Sequence, residues 1–392
     1  MPVPSALRQG GRQLSHDPAD LARHLARPCR RLPLGGQSMI EVSLVGDAHS
    51  RGLQQADCPP RVRGLVRRWI GLRRARAASV LRTRAGRRMA TALWDHLGRH
   101  HADALAEIEG MAEGFGLVAE DLFLAMHAVA LRESAARPWA EDGCTTVGLR
   151  LRSGTVLGKN RDVPGDVLPL QRVFRQHDPN WRCGPILGIS SLGSAPCASS
   201  GINRAGLALA DTQVATRDHG LGVSRYILMQ ELLAHCADVD QALMRIRRTA
   251  HLGGGTLVLA DAGGTLATVE LGHGRQAIER RRAGIVVRTN HHLSPGLRGA
   301  NAEPASSAAG RNSRGRLDVA RRLAATLTPD STRSDIAALF ARHGPPEPDL
   351  CRHRKPSPAE TISLALFAPQ DRGLWFWNGR PCGVSPTWHG LD

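Results

Sequence analysis

The sequence predicts an α+β fold: antiparallel sheets covered by helices, behind a mainly helical N-terminal region. Three observations predict it. Apolar residues recur at three- and four-residue steps through much of the chain before Cys144. After Cys144 the period shortens to two, and short strands meet at Gly-containing turns. Strands and helices then follow one another without the strict strand–helix–strand alternation of a doubly wound parallel sheet. No internal repeat is visible.

Residues 1–38 are rich in Arg, Pro and Gly and lack an apolar signal segment, so they read as a disordered leader. Met39 opens the first strand, which continues through Ile40 to Val45. Gly46 to Gly52 reads as a strand-to-helix turn. A basic helix is expected from about Val62 to Leu81, a second from Thr91 to Met111, and a third from Ala119 through Val129. Cys144–Leu151 and Thr155–Gly158 read as a hairpin about Ser153-Gly154. Strands are expected at 186–192 and 206–211, helices at 224–235 and 239–248, and a second hairpin over 256–271. The strand 284–289 ends in Asn290-His291-His292. Residues 296–312, rich in Gly, Ala and Ser, read as a loop. Helices near 316–327 and 334–342 and strands at 361–368 and 374–378 complete the chain.

The chain has 392 residues, 42% of them hydrophobic, enough for a large core. Its net charge of +17 is almost all arginine, since Lys159 and Lys355 are the only lysines. That charge is spread evenly and no binding motif accompanies it, which weighs against nucleic acid and for compositional bias. A basic nucleic-acid-binding protein without catalysis is therefore the rival reading. No apolar run approaches the ~20 residues that span a bilayer, so no membrane partner is expected. Eight cysteines show neither a C-x-x-C pair nor a compact disulfide framework, and read as reduced thiols of a cytoplasmic protein.

Cys144 is the residue around which the chemistry is read. It stands where helices give way to strands, directly after Gly143. An ordinary thiol titrates near ~8.5 and needs help to ionise at neutral pH. If Cys144 begins a processed chain, its own α-amine, titrating near ~7.7–8.0, can serve as base. Gly143 puts no side chain between the thiol and the preceding carbonyl. A buried structural cysteine is the plain alternative. Asp162 ends the partner strand, where a carboxylate can hold an amine, or is an ordinary turn Asp. Asn290 offers an amide to a developing oxyanion, or simply ends a strand. His291-His292, His100-His101 and Cys351-Arg352-His353 are assigned structural roles in preference to metal binding, because adjacent strand residues point to opposite faces. His251 to Thr256 lacks a phosphate-loop pattern and precedes a strand, so no nucleotide cofactor is expected.

Together these segments resemble the acyl-coenzyme A:6-aminopenicillanate acyltransferase family, also called isopenicillin-N acyltransferase-like, of the N-terminal-nucleophile hydrolases. The resemblance spans roughly residues 40–385. It rests on Gly46 with Arg51-Gly52, on Glu107–Gly114, on Gly143-Cys144-Thr145-Thr146, and on Asn160-Arg161-Asp162, where the family has Asn-Trp-Asp. Gly201–Leu207, Thr289-Asn290-His291, Ser313–Leu317 and Pro381-Cys382 complete it. The resemblance implies a four-layer αββα sandwich and maturation into two chains. Here these would be a helical segment 39–143 behind the leader and a catalytic segment 144–392 of the same domain, which stay associated. It implies Cys144 as nucleophile, Asp162 supporting the amine or substrate, Asn290 in the oxyanion hole, and Arg316 organising the site, with Arg314 the alternative. The expected substrate is a linear amide or an acyl thioester, with an amine as possible acceptor and no metal or cofactor. An amidase of related fold with bile-salt- or ceramide-like substrates is the remaining alternative.

Overall fold

Two glycines that carry the resemblance in the N-terminal half turn out to pack one helix against another. β1 (Glu41–Val45) leads into α1 (Ala48–Gln54), which is capped by the Asp47 side chain accepting from the Ser50 amide at 2.8 Å. The structure, a computed structural model, describes residues 40–134, 143–344, 348–353 and 359–391. The expected leader and Glu141-Asp142 lie outside the described residues. The helical region is α2 (Pro60–Leu81), α3 (Arg84–His100), α4 (Ala102–Phe115), α5 (Ala119–Met126) and α6 (Ala128–Ser134). A Cβ on Gly52 would stand 2.2 Å from the Glu107 carbonyl oxygen, and one on Gly110 2.1 Å from that of His49. These obstacles are backbone and cannot swing aside. Gly110→Ala should therefore destabilise the fold by roughly 1–3 kcal/mol or more. The check is a lower urea midpoint at unchanged slope.

The sequence reads one helix from Thr91 to Met111, whereas the chain breaks at His101, whose backbone leaves the helix at φ −141° and ψ 49°. No Gly or Pro marks the break. The His101 imidazole instead bonds Glu231, a tertiary contact that local periodicity does not report.

The strand-rich part runs β2 (Gly143–Leu151), β3 (Gly154–Pro164), β4 (Gln171–His177), β5 (Ile186–Ser191), β6 (Ser200–Asn203), β7 (Leu207–Thr212), α7 (Arg225–His235) and α8 (Val239–Arg248). It continues with β8 (Thr256–Asp261), β9 (Leu266–Leu271), β10 (Gln276–Arg281), β11 (Ile285–Arg288), α9 (Pro295–Arg298), α10 (Ala308–Ala325), α11 (Arg333–Ala341), β12 (Ala359–Ala368), β13 (Gly373–Trp377) and β14 (Thr387–Gly390). One sheet has the order β1-β4-β5-β6-β7-β8-β9-β10, the other β11-β2-β3-β12-β13-β14. β1 joins β4 in parallel, and the other strand pairs are antiparallel. α7 and α8 pack on β6, β7 and β8; β2 and β3 face β7 and β8; α10 and α11 cover β2, β3, β11 and β12. That is the expected αββα layering.

The stretch 296–312, read from sequence as a loop, contains α9 and the first turns of α10. Ser307 caps α10, its hydroxyl accepting from the Gly310 amide at 2.9 Å. β4, β6, β10 and β14 are strands that the periodicity does not announce.

The β2–β3 hairpin sets the register of the site. It pairs Gly143 with Asp162 and Cys144 with Arg161. β12 adds Thr361 opposite Asp162, with an irregularity before Ser363. Side chains alternate between faces along a strand. Val147 and Leu149 join the core under α10 and α11. A Cβ on Gly148 would touch Leu266 and Val258 of the other sheet. Gly143 and Asp162 therefore face the helices, while Cys144, Lys159 and Arg161 face the other sheet.

Candidate active site

The peptide at Cys144 is held on both sides. Its N–H donates to Asn290 Oδ1 at 3.0 Å, and its carbonyl accepts from Arg316 Nη1 at 2.7 Å. Arg316 Nη1 also donates to Thr145 Oγ1 (3.0 Å), and Nη2 donates to Asn290 Oδ1 (2.6 Å). Two donors on Oδ1 fix the orientation of the Asn290 amide, whose Nδ2 donates to the Gln213 carbonyl at 2.9 Å. Arg316 reaches this point because Ser313, Arg316, Leu317 and Ala320 form the buried stripe of α10 at helical spacing. Ser313 Oγ on the same stripe accepts from the Asn290 backbone N–H at 2.9 Å. Arg314, the alternative in sequence, makes no such contact, and Arg316 is the arginine at Cys144.

Asp162 is buried beside this peptide. Its Oδ1 accepts from Thr361 Oγ1 at 2.7 Å, while Oδ2 has no hydrogen-bond donor among the described residues. Arg352 Nη1 stands 3.9 Å from Oδ2. Burial raises the Asp162 carboxyl above the usual range, against the pull of Arg352 and Arg316. Gly143 is the residue that lets these groups close in. A Cβ there would lie 2.4 Å from Arg352 Nη1 and 3.4 Å from both Arg316 Nη2 and Asp162 Oδ2.

On the opposite face the Cys144 thiol is buried, with the residue 6% exposed. Burial pushes its pKa up, with Lys159 lowering it and Asp211 and Asp162 raising it. Lys159 is itself buried and ion-paired with Asp211, and its Nζ donates to the Ser199 carbonyl at 2.9 Å. Arg225 Nε completes the group, donating to Asp211 Oδ2 at 2.7 Å. Burial works to raise Asp211, but the two cations outweigh it and hold the carboxyl below its ordinary value. Sequence reasoning omits this Lys159–Asp211–Arg225 group. A signal for it exists: a chain that uses arginine almost throughout keeps one of its two lysines at 159.

Residues 150–382 match the family described as acyl-coenzyme A:6-aminopenicillanic acid acyl-transferase. The chain belongs to this family. The match makes the protein an enzyme of the acyltransferase kind. It begins downstream of Cys144.

Among solved structures, penicillin V acylase from Agrobacterium tumefaciens is 16% identical at TM-score 0.43, covering 63% of this chain and 86% of that one. A variant of conjugated bile acid hydrolase from Clostridium perfringens is 11% identical at TM-score 0.42, covering 64% and 97%. No curated protein is similar enough to match.

In this acyltransferase-family chain the Asn160-Arg161-Asp162 element divides between the two faces. Asn160 Nδ2 donates to the Phe340 (2.9 Å) and Leu350 (2.8 Å) carbonyls, tying β3 to the helical layer. Arg161 lies on the thiol's face, its guanidinium donating to Gln171 Oε1 (3.2 Å) and Ser191 Oγ (2.9 Å).

His291 and His292 are both buried. His291 Nδ1 meets Ser313 Oγ at 2.8 Å, and burial depresses its pKa to about 4. His292 is buried against Glu270. A cavity of about 270 Å³ between the N-terminal helices and α7, lined by Arg51, His101, Glu107 and Trp181, holds none of the site residues. Arg51, Arg172, Arg288 and Arg316 are buried, so part of the basic charge serves the interior. No helix among the described residues is long and apolar enough to cross a membrane.

Proposed function

We propose that the protein cuts its own backbone between Gly143 and Cys144, and that the freed Cys144 then acts as an N-terminal nucleophile on amides or acyl thioesters. The observation that carries this reading is the clamp on the Cys144 peptide. Asn290 holds its nitrogen, Arg316 holds its carbonyl, and the unpartnered Asp162 oxygen waits beside Gly143. An ordinary buried cysteine needs none of these.

In the precursor the Cys144 sulfur attacks the Gly143 carbonyl carbon. The C–N bond breaks, the thiol proton passes to the departing nitrogen, and a thioester forms. Water hydrolyses it to a Gly143 carboxylate and a Cys144 thiol with a free α-amine. That amine keeps its bond to Asn290 Oδ1 and gains hydrogens for Asp162 Oδ2, which has no hydrogen-bond donor among the described residues.

In the mature enzyme the amine is the base. Lys159 is tied to Asp211, and Asp162 lies on the other face of the strand. The amine takes the thiol proton, the thiolate attacks the substrate acyl carbon, and the leaving amine or thiol takes the proton away. The second hydrogen on Asn290 Nδ2 is available to the oxyanion, a contact typically worth ~2.7–4 kcal/mol. Water then releases an acid, and an amine acceptor releases a new amide.

Denaturing electrophoresis tests the reading. Residues 1–143 and 144–392 should separate as two bands and co-purify under native conditions. Asp162→Asn keeps the volume and removes the charge. It should slow processing or turnover roughly 10–100-fold, the size of a lost charge-assisted hydrogen bond. Because burial raises the Asp162 carboxyl, the acid limb of the self-cleavage rate, measured on the uncut precursor that has no α-amine at Cys144, should lie above the ordinary carboxylate range in the native protein and vanish in this variant.

A further inference from the structure

Four side chains of types that can bind metal, from three separate segments, meet around Arg352. His343 follows α11, Cys351 and His353 flank Arg352, and Cys382 lies in the turn after β13. The ligand atoms of His343, His353 and Cys382 all lie within 4.8 Å of one another. Cys351 Sγ is 3.6 Å from Cys382 Sγ and 4.0 Å from His353 Nε2, and Cys382 Sγ is 3.5 Å from His353 Nε2. All these cysteines are free thiols.

The Cys351–Cys382 and Cys382–His353 spacings match edges of a coordination tetrahedron, the Cys351–His353 spacing is about half an ångström longer than one, and His343 lies within 4.8 Å of His353 and Cys382. With Zn–S near ~2.3 Å and Zn–N near ~2.0 Å, a tetrahedral centre sets sulfur atoms ~3.8 Å apart and sulfur and nitrogen ~3.5 Å apart. Two thiolates and two neutral imidazoles also balance a divalent cation, which suits a neighbourhood containing Arg342, Arg352 and Arg380. A two-sulfur, two-nitrogen set is the donor chemistry that selects zinc.

We propose that Cys351, Cys382, His343 and His353 form a four-coordinate structural zinc site. Four protein ligands leave no open position, so the ion does no chemistry of its own. Its work is to pin a loop. Arg352 sits between two ligands, its N–H donates to Thr361 Oγ1 at 2.8 Å, and its carbonyl accepts from the Thr361 amide at 3.0 Å. Thr361 and Arg352 are also the groups that meet Asp162. The metal thus ties the C-terminal turn and the end of α11 to the loop that carries Arg352. Metal binding itself does not depend on the proposed chemistry at Cys144.

The test is made on the full chain. Protein purified and dialysed against metal-free buffer, then loaded with Zn²⁺, should retain about one zinc per chain and release it to a strong chelator. Co²⁺ in its place should show a thiolate-to-metal charge-transfer band and a tetrahedral ligand-field spectrum. Cys382→Ser, at an exposed position that leaves the core intact, should weaken Zn²⁺ retention at least ~10-fold and abolish the charge-transfer band. His343→Ala, also at the surface, should weaken retention similarly. Cys144→Ala should bind Zn²⁺ as the native chain does, which separates this result from failure of the nucleophile. The proposal is overturned if the loaded native chain holds no zinc, if Cys382→Ser and His343→Ala retain it undiminished, or if mass analysis finds a Cys351–Cys382 disulfide in native protein.

Discussion

Cys144→Ala is expected to remain one uncut chain and to lose amide hydrolysis and acyl transfer together. Both acts use the same sulfur, so one substitution removes both. The loss should be on the order of 10⁶-fold in kcat, the scale seen when a covalent nucleophile is deleted. Stability should change little, because a buried Cys packs as a small apolar side chain and Ala removes only the sulfur. Electrophoresis, kinetic assay and urea unfolding on one preparation separate these effects. The thiol cannot be treated as spontaneously reactive. Burial pushes it up, and the cation that favours the thiolate, Lys159, is paired with Asp211. An uncut chain should therefore react slowly with iodoacetamide at neutral pH, and a processed one fast.

The second large effect is expected at Arg316. The residue is 1% exposed, and burial depresses its guanidinium to about 10. It holds the Cys144 carbonyl, Thr145 Oγ1 and Asn290 Oδ1 at once, and its Nε donates to Asn312 Oδ1 at 2.9 Å. Arg316→Met fills similar space but strips those acceptors of their donor. It also leaves Arg352, at 3.9 Å, as the guanidinium beside the buried Asp162 carboxyl. Breaking a buried charge arrangement in this way is expected to cost about 3–5 kcal/mol. Guanidinium unfolding should show that loss, and the uncut precursor should accumulate. Arg316→Lys keeps a charge without the planar fork, so it should recover part of the stability and little of the processing. Arg314→Ala on the same helix should do neither, since Arg314 makes none of these contacts.

The hairpin that carries the site is readable from sequence because its geometry is local. A short turn before Gly154 and alternating apolar residues bring Asp162 to the open end beside Gly143. α7 and α8 are readable because their apolar residues recur at helical steps within a single short segment. β4 is not, because Gln171, Arg172 and Gln176 are buried polar residues, and their partners are mostly far away in the chain. β10 is not, because its half-buried Glu279 and exposed Arg280 and Arg281 form a charged run that reads as loop. The start of α10 is hidden by small residues whose helical state is set by the Ser307 cap and by packing.

Around the Cys144 peptide, Cys144, Asp162 and Asn290 stand out in the sequence itself, while Arg316 enters only through the family resemblance, with Arg314 as its alternative, and the structure places all four at one peptide. Thr361 and Arg352 are not, since they reach Asp162 across sheet and loop from 199 and 190 residues away. Cys351 and His353 read as structural from sequence because the two side chains that join them, His343 and Cys382, share no short motif with them.

Intact mass with N-terminal sequencing of catalytically active protein is the most direct measurement of the central claim. The account predicts two masses, the heavier belonging to a chain that begins Cys144-Thr145-Thr146 with a free α-amine. Active protein whose backbone runs unbroken through Gly143 and Cys144 would contradict it.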